Sequence, residues 1–283
     1  MAKYGIPYMG SKDKIADDIL SVLPRGKRFV DLFGGGFAMS HAALLSGKYE
    51  QVFYNEINPL LPKLIKDTLA GKYANERRWI SREDFFRLKD VDGYVRCIWS
   101  FGNKGDTYLF GKDKEHIKKL GHDFVCFGKD ITGVPNIAET DMRVRRLYLQ
   151  RFIKKNTGER CELQELERLQ RLQRLQRLEI NCGSYLDYKY QKGDIVYCDP
   201  PYEDTAKYDN DGFNHKQFYD WVASREYPVY FSSYEISDNR FNVVWQTEKQ
   251  SLLNHSKETK KVVTEYLYCN KAENPFDYGP LFC

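Results

Sequence analysis

The sequence predicts an α/β fold in which a largely parallel sheet is covered by helices on both faces. Short runs of apolar, aromatic and β-branched residues recur along both flanks of the chain, as is typical of strands. Several of these runs end at glycine or at consecutive prolines, which mark the end of a strand. Segments with helical spacing of apolar residues lie between them, and such segments connect parallel strands.

Five strands are predicted, in chain order, at Lys27–Leu32, Gln51–Ile57, Asp194–Cys198, Pro228–Ser232 and Thr264–Cys269. Glycines follow the first strand at once, Asn58-Pro59 stops the second, and two prolines follow the third. Helices are predicted from about Lys14 to Leu23 and over Phe37–Leu45, where apolar residues recur with helical spacing. A sheet of this kind binds ligands beyond the carboxyl ends of its strands.

The middle of the chain has a different pattern. Leu60–Ala70 and Glu139–Lys155 have helical spacing, whereas Trp99–Gly133 is rich in glycine and aromatic residues without clear periodicity. That segment predicts loops and a hairpin outside the sheet. We therefore expect a mostly helical module inserted at about 60–140, within a discontinuous domain formed by 1–59 and 141–283.

A leucine repeat lies in the second part of that domain. Six leucines recur at every third position from Leu163 to Leu178, with glutamine, glutamate and arginine between them. On an α-helix this period displaces successive leucines by about 60°, so they spiral around the helix and form no single stripe. The run is either a helix buried against changing neighbours or a repeat-expanded connector at about 163–179, and we favour the connector.

The composition excludes several classes of protein. Of the 283 residues, 42% are hydrophobic and 30% are charged, which is ordinary for a soluble globular protein. No apolar run approaches the ~20 residues needed to cross a bilayer, and no apolar stretch near the first residue could serve as a signal peptide. The seven cysteines form no C-x-x-C pair, and the five histidines have no metal-ligand spacing. We expect a cytoplasmic protein without a membrane span or a metal site.

Charge is distributed unevenly along the chain. Residues 60–180 contain 26 basic and 18 acidic residues, a net charge of +8, whereas the rest contains 18 basic and 22 acidic residues, a net charge of −4. A basic middle within an acidic frame indicates either a surface that faces a polyanion or a solvated surface of skewed charge. In the first case, phosphate contacts would fall to residues such as Lys104, Arg143, Arg145 and Arg146.

The most informative tetrapeptide is Asp199-Pro200-Pro201-Tyr202, directly after the third strand. The prolines fix the backbone and have no N–H to donate, so the carbonyls point in a defined direction. The Asp199 carboxylate and the Pro200 carbonyl can each accept one N–H of an exocyclic amine, and the Tyr202 ring can stack on a planar base. The alternative is a simple turn after a strand.

Two further stretches indicate a nucleotide-like ligand. The run FVDLFGGGF, residues 29–37, places glycines between a strand and a helix, where the backbone can approach a ligand closely; dinucleotide-binding proteins have similar turns. Glu56 follows the second strand about twenty residues on, where a carboxylate can accept both hydroxyls of a ribose. The alternative is a helix cap and a surface glutamate.

A third stretch, YMGSK at residues 8–12, places a cation and an aromatic ring beside a glycine. This combination suits a ligand carboxylate or a target base, and alone it is no more than a turn before the first predicted helix.

These motifs occur in an order that resembles a known family. Y-x-G-S-K, D-L-F-G-G-G-F, N-E-I-N, D-P-P-Y and a C-terminal K-K-V-V-T-E-Y-L-Y are similar to motifs of the Dam-type (D12 class) adenine-N6 DNA methyltransferases. The resemblance covers residues 4–60 and about 180–270, and it is weak or absent in the middle, where that family has its target-recognition region. It implies a Rossmann-like methyltransferase sheet, S-adenosylmethionine as cofactor, double-stranded DNA as partner, and transfer to a flipped adenine.

The resemblance also implies roles for single residues. The catalytic motif corresponds to Asp199, Pro200, Pro201 and Tyr202. The positions implied in S-adenosylmethionine binding are Tyr8, Gly10, Lys12, Asp31, Phe33, Gly34, Gly35, Gly36, Glu56, Ile57 and Asp199. Phe231–Glu235 and the basic stretch before Glu265 resemble segments that help to close the base pocket and hold DNA. The chain departs from the family pattern at Phe37, where a glycine is frequent, and at Ser184, where an acidic residue is frequent.

Other functions compete with DNA adenine methylation. Cytosine-N4 and glutamine-modifying methyltransferases usually have Ser or Asn before the two prolines, so Asp199 favours adenine. An unpaired adenine in RNA suits the same chemistry, and a degenerate methyltransferase fold would suit a non-catalytic nucleic-acid-binding protein. A nicotinamide-dependent dehydrogenase is disfavoured because the glycine run lacks G-x-G-x-x-G. The sequence carries no signal for an oligomeric state.

Overall fold

The computed structural model confirms the predicted α/β fold and describes residues 3–129, 165–166, 169, 177–203, 212–250 and 262–271. Its strands are β1 (Gly26–Asp31), β2 (Tyr49–Glu56), β3 (Leu178–Cys182), β4 (Asp194–Cys198), β5 (Val229–Ser233), β6 (Asn242–Gln250) and β7 (Val262–Cys269). They form one seven-stranded sheet with the order β3-β2-β1-β4-β5-β7-β6. The first five strands in this order run parallel, and β7 is antiparallel to both β5 and β6.

The five predicted strands are all present, and β3 and β6 are additional. Both additional strands form the edges of the sheet. Every residue of β3 is exposed or half-buried, so its sequence has little of the apolar pattern that identifies a strand. Its first residue, Leu178, is also the last leucine of the repeat, most of which lies outside the described residues.

The helices of the described segments are α1 (Ala16–Val22), α2 (Ala38–Ser46), α3 (Leu60–Leu69), α4 (Arg82–Leu88), α5 (Gly93–Ile98), α6 (Glu115–Phe127) and α7 (His215–Ala223). The predicted helices at Lys14–Leu23, Phe37–Leu45 and Leu60–Ala70 are confirmed as α1, α2 and α3. None of the helices in the described ranges has the length and apolar character needed to span a bilayer.

The prediction of loops and a hairpin over Trp99–Gly133 is wrong for α6. This helix buries Phe124 and Val125 on one face, together with Gly121, whose presence in the interior of the helix weakens the helical signal in the sequence. The first part of the segment does turn back on itself, through an antiparallel bridge between Ser100 and Tyr108. The predicted helix at Glu139–Lys155 lies outside the described residues.

Packing divides the chain into two units. The sheet unit comprises Lys12–Pro59 and Gln176–Cys283 and contains the seven-stranded sheet, and the helical unit comprises Met1–Ser11 and Leu60–Leu175. These units differ from the predicted domains in where residues 1–11 and 141–175 fall. The functional division into 1–59 with 141–283 and 60–140 stays a prediction.

The strand order of the sheet unit reverses near its centre. Chain connections run from β1 to β2 on one side of β1, whereas β4 lies on its other side, so the strand order reverses between β1 and β4. In open parallel sheets a crevice forms beyond the carboxyl ends of the strands at this point. Val196 and Phe231 of the central strands pack with Phe218 and Val222 of α7, and this core fixes the strands that lead to the crevice.

Candidate active site

Three strands of the sheet unit end beside residues singled out by the sequence, and a fourth strand carries one further carboxylate. β1 ends at Asp31 and leads into the glycine loop, β2 ends at Glu56, and Asp199 follows β4 directly. Glu265 lies within β7, which runs in the opposite direction. Carboxylates from separate parts of the chain are thereby collected at one edge of the sheet.

The glycine loop requires glycine at Gly34 for a steric reason. A Cβ atom there would lie 2.1 Å from Cε2 of the Tyr54 ring, far inside van der Waals contact. The Tyr54 hydroxyl donates a hydrogen bond of 2.9 Å to the carbonyl of Gly35. The Gly35 N–H donates in turn to Oε2 of Glu56 at 2.9 Å. Both polar backbone groups of Gly35 are therefore hydrogen-bonded to side chains of β2.

Phe37 has a backbone conformation that glycine adopts more easily than other residues. Glycine is frequent at this position in the family that the sequence resembles. The φ of Phe37 is 66°, in the left-handed region, where a side chain is strained. The ring is fully buried and packs edge-on against Tyr54 with a centroid distance of 5.5 Å. Burial of the ring offsets the backbone strain, and Phe37 completes the packing below the loop.

Asp31 has one satisfied and one unsatisfied carboxylate oxygen. The Ser40 hydroxyl donates to Oδ2 at 2.7 Å, while Oδ1 is buried and has no hydrogen-bond partner among the described residues. Burial, opposed by the Ser40 hydrogen bond, raises the pKa of Asp31 to about 7. A ligand ammonium would satisfy the remaining oxygen and favour the ionised form.

Glu56 is fixed by backbone donors on both of its oxygens. Oε2 accepts the Gly35 N–H and Oε1 accepts the Asn58 N–H, each at 2.9 Å. Burial raises the pKa of Glu56, and these hydrogen bonds oppose the shift. Because a carboxylate oxygen accepts about two hydrogen bonds, both oxygens can still accept ribose hydroxyls.

The Asp199 carboxylate lies in a cluster of polar side chains. Lys12 Nζ lies 2.6 Å from Oδ1 and donates to Oδ2 at 2.7 Å. The Tyr202 hydroxyl lies 3.2 Å from Oδ1 and donates to Oε1 of Glu265 at 2.8 Å. The same Glu265 oxygen is 3.4 Å from Lys12 Nζ. One cation therefore lies between two carboxylates, and the tyrosine hydroxyl bridges them.

Burial sets the electrostatics of this cluster. It raises the pKa of Asp199, Lys12 lowers that pKa, and Glu265 raises it further. Burial and the two carboxylates also raise the pKa of Tyr202 well above its usual value. The Tyr202 hydroxyl consequently stays protonated and acts as a donor.

The backbone of the tetrapeptide is held from the other side by α7. His215, the first residue of that helix, donates from Nε2 to the carbonyl of Pro201 at 2.8 Å. The Tyr202 ring lies 4.8 Å from the ring of Tyr234, with their planes at 74°. These contacts hold the segment after β4 in one conformation, as the two prolines predict.

The other predicted residues are distributed over both units and over residues outside the described ranges. Tyr8 and Gly10 belong to the helical unit, as does Lys104, whose side chain is exposed. Ile57 is 54% exposed, and Phe33 packs into an aromatic cluster with Tyr185 and Phe218. Arg143, Arg145 and Arg146 lie outside the described residues. The binding and catalytic roles assigned to all these residues stay predictions.

Sequence reasoning missed several residues that shape the site. Glu265, His215 and Asn55 were not among the candidates, and the Asn55 amide donates to the carbonyls of Leu32 and Gly183. A charged residue inside the predicted apolar strand TEYLYC was the signal for Glu265. Ser184, where the family pattern has an acidic residue, accepts the N–H of Leu186 and so caps a short turn.

The residues of this edge fit S-adenosylmethionine. Asp31 offers an unsatisfied buried oxygen for an ammonium, and Glu56 offers two fixed oxygens for ribose hydroxyls. No curated protein matches the chain. A family model, described as D12 class N6 adenine-specific DNA methyltransferase, matches residues 8–266. The chain therefore belongs to the D12 class N6 adenine-specific DNA methyltransferases, enzymes that transfer a methyl group from S-adenosylmethionine to N6 of adenine in DNA.

Proposed function

We propose that this methyltransferase acts on an adenine flipped out of double-stranded DNA, and that Asp199, Pro200 and Tyr202 form the acceptor site. The observation that carries the proposal is the Asp199 carboxylate, fixed by Lys12 and Tyr202 just beyond the carboxyl end of β4. A stacked and paired adenine cannot give both amino hydrogens to Asp199 and Pro200, because one of them is held in the base pair. The base must therefore leave the helix before transfer.

The acceptor site must orient a weak nucleophile. The N6 lone pair of adenine is delocalised into the ring, and S-adenosylmethionine supplies a methyl group on a good leaving group. Hydrogen bonds from the amino group to the Asp199 carboxylate and the Pro200 carbonyl would favour a tetrahedral nitrogen whose lone pair faces that methyl. The main contribution of these residues is alignment at near-attack distance, about 3–3.5 Å. The Tyr202 ring would replace the stacking that the base loses.

We assign cofactor binding to residues at the ends of β1 and β2. Asp31 would pair with the ammonium of the methionine moiety and Glu56 with the ribose hydroxyls, while Gly34, Gly35 and Gly36 form the close wall. Phe33 would contribute an apolar surface beside this wall. Tyr8, Gly10, Lys12 and Ile57 remain candidates from the family pattern alone.

We assign DNA binding to the basic middle of the chain, within the proposed recognition module at 60–140 and the arginines that follow it. Lys104 is exposed and available to a phosphate, and Arg143, Arg145 and Arg146 extend the basic sequence. Neutralisation of phosphates releases counterions, so DNA affinity should fall steeply with added salt. Affinity that does not change between low and high salt would contradict this assignment.

We also propose a reducing, cytoplasmic location. The described cysteines, Cys97, Cys126, Cys182, Cys198 and Cys269, are free thiols, and Cys198 is buried at the end of β4 beside the site. Oxidation of a buried thiol there would disturb the segment that holds Asp199.

Replacement of Asp199 tests the acceptor site. In Asp199→Ala, one amino hydrogen of adenine loses its acceptor, and we expect transfer to fall by at least about a thousandfold while DNA binding largely survives. The assay follows labelled methyl groups from S-adenosylmethionine into unmethylated double-stranded DNA, single-stranded DNA and RNA. Asp220→Ala is the matched control, because Asp220 is an exposed aspartate of α7 that pairs with the exposed side chains of Lys216 and Arg240.

Three results bear on this proposal. Transfer to duplex DNA by the wild type and by the Asp220 variant, with none by the Asp199 variant, supports it. Turnover of Asp199→Ala within a few-fold of the wild type would overturn the role of Asp199. Equal transfer to RNA and to duplex DNA would overturn double-stranded DNA as the preferred substrate.

A further inference from the structure

Glu265 is a buried carboxylate for which the reaction outlined above gives no role. It lies in the middle of β7, opposite Thr247 of β6, and is only 2% exposed. A carboxylate is rarely buried to this extent unless it is paired. Its Oε1 atom accepts the Tyr202 hydroxyl at 2.8 Å and lies 3.4 Å from Lys12 Nζ. Both partners belong to the cluster around Asp199.

The Lys12 ammonium is shared unequally between the two carboxylates of this cluster. Lys12 is closer to Asp199, at 2.6 Å, than to Glu265, at 3.4 Å. With both carboxylates ionised, the three groups carry one net negative charge. Coulomb interactions are stronger in a buried site than in water, so this charge acts on any group that becomes positive nearby.

We infer that Glu265 is a positioning residue of the acceptor site, which holds Lys12 and the Tyr202 hydroxyl so that Asp199, Glu265 and Lys12 together keep one net negative charge beside the nitrogen that becomes methylated. The inference rests on the proposed acceptor site and adds to it a residue that touches neither adenine nor cofactor.

The charge matters because the nitrogen becomes cationic during transfer. The N6 lone pair forms the new N–C bond, and the electron pair of the S–C bond goes to sulfur, which loses its positive charge. N6 is then positive until one of its protons passes to the Asp199 carboxylate and on to solvent. Without Glu265, Lys12 and Asp199 neutralise one another, and the positive nitrogen lies beside a pair of zero net charge. Preorganised charge of this kind lowers the barrier.

Glu265 also fixes the aromatic ring of the tetrapeptide. The Tyr202 ring has Lys12 Nζ 4.8 Å from its centroid and Tyr234 at its side. The hydrogen bond to Glu265 holds the far end of the same ring, because the hydroxyl is its outermost atom. A ring restrained in this way is already oriented for the incoming base.

The test compares Glu265→Gln with Glu265→Asp in single-turnover transfer to duplex DNA as a function of pH. Glutamine keeps the size of the side chain and an oxygen that accepts the Tyr202 hydroxyl, but removes the charge. We expect a rate about tenfold to a hundredfold lower in the glutamine variant, with the affinity for S-adenosylmethionine changed by less than threefold. Aspartate keeps the charge, and we expect it to recover most of the rate.

The pH profile separates an electrostatic role from a structural one. Since Glu265 raises the pKa of Asp199 and Lys12 lowers it, loss of the Glu265 charge leaves Lys12 unopposed. In the plot of single-turnover rate against pH, the inflection assigned to the Asp199 carboxylate should therefore move to lower pH in Glu265→Gln. It should stay near its wild-type position in Glu265→Asp. A merely structural residue would alter stability without this shift.

Each contrary result overturns the inference. A glutamine variant within twofold of the wild type, with an unmoved inflection, shows that the charge is unimportant. Equal losses of rate in Glu265→Gln and Glu265→Asp also show that the charge is unimportant, because aspartate retains it. If Glu265→Gln no longer unfolds cooperatively, Glu265 is a folding residue and the inference also fails.

Two controls isolate this inference from the proposed function. Glu248→Gln removes an exposed carboxylate of the neighbouring strand β6, opposite Thr264, and should leave rate and pH profile unchanged. The wild type is measured in parallel. If it methylates adenine and Asp199→Ala does not, the proposed function holds, and a wild-type-like Glu265→Gln then removes only the role of Glu265.

Discussion

The strand β4 begins at a buried carboxylate, Asp194, and is followed directly by a half-buried one, Asp199, and the two are held in different ways. Asp194, at its start, accepts two hydrogen bonds from the Arg28 guanidinium at 2.9 and 2.8 Å, and further ones from the Tyr188 hydroxyl and the Gln191 N–H. Asp199, directly after its end, faces Lys12 and Tyr202 but also a second carboxylate, Glu265.

The two environments shift the two pKa values in opposite directions. Burial raises the pKa of each carboxyl group. At Asp194 the hydrogen bonds from Arg28 and Tyr188 outweigh burial and lower the pKa. At Asp199 burial and Glu265 outweigh Lys12, and the pKa is raised. A carboxylate whose donors are complete stabilises the fold, whereas one left beside a like charge is poised to accept hydrogen bonds or a proton from a ligand.

The largest expected difference between these carboxylates is in stability. Asp194→Asn removes the charge opposite Arg28. The Arg28 side chain is only 8% exposed, and its second carboxylate partner, Glu179, lies 3.7 Å away. We expect a loss of about 3–5 kcal/mol in the free energy of unfolding, because a buried cation loses its close partner. Asp199→Asn should change it by no more than about 1 kcal/mol, because Lys12 keeps the buried Glu265 at 3.4 Å and the repulsion between the two carboxylates is relieved. Urea unfolding of both variants measures this difference in the free energy of unfolding. Equal losses in the two variants would contradict it.

A third buried carboxylate extends the comparison to pH. The pKa of Asp31 is about 7 in the fold, well above its value in the unfolded chain, so the folded state binds the extra proton between about pH 4 and pH 7. The contribution of Asp31 to stability is therefore full at low pH and falls as pH rises through 7, by at most about 1.4 kcal/mol per unit. Asp31→Asn should remove this slope from urea unfolding measured across that range.

Cofactor affinity should have the opposite pH dependence at this residue. If the ionised Asp31 pairs with the ammonium of S-adenosylmethionine, calorimetric affinity for the cofactor rises as pH increases through about 7. An affinity that is flat across this range in the wild type would exclude the ammonium contact.

A smaller effect is expected from the glycine loop that joins β1 to α2. In Gly34→Ala the new methyl group would meet the Tyr54 ring at 2.1 Å, so the ring or the loop must shift and the hydrogen bond from Tyr54 to Gly35 weakens. We expect a loss of about 1–3 kcal/mol in stability and at least a tenfold lower cofactor affinity. Gly212→Ala, whose Cβ would have nothing within 4 Å, is the control. Equal behaviour of the two variants would contradict the steric argument.

The smallest effect concerns Lys48, just before β2 at the amino edge of the sheet. Its ammonium donates to the carbonyls of Leu20 and Leu23 at the end of α1, while burial lowers its pKa. Lys48→Met keeps the length of the chain and removes these donors, and should cost about 1 kcal/mol without changing methyl transfer. A thermal unfolding scan detects this change, and a loss of activity larger than the loss of stability would contradict it.

Local sequence patterns predicted much of the fold. Strands that precede glycine or proline, such as Asp194–Cys198, were predictable because apolar composition and backbone restriction coincide there. The edge strands β3 and β6 were not, because an edge strand buries less surface and its pairing depends on distant residues. Helix α6 was missed because Gly121 interrupts a pattern that tertiary packing completes.

The site was predictable in its parts and not in its connections. Asp199, Glu56 and the glycine loop lie within short motifs, whose chemistry can be read directly. The link from Glu265 to Tyr202 joins residues 63 positions apart, and that from Lys12 to Asp199 spans 187 positions, so only the fold brings them together. The left-handed backbone of Phe37 likewise depends on its packing against Tyr54, which the sequence does not specify.

The central claim is that the carboxylate beyond β4 receives the amino group of adenine. Mapping of N6-methyladenine in the DNA of cells that express the wild type or Asp199→Ala, in a host without adenine methylation of its own, tests it most directly. We predict N6-methyladenine at one recurring sequence context with the wild type and none above background with the variant, although both proteins are present at equal levels. N6-methyladenine in the variant cells at the wild-type level would contradict the claim.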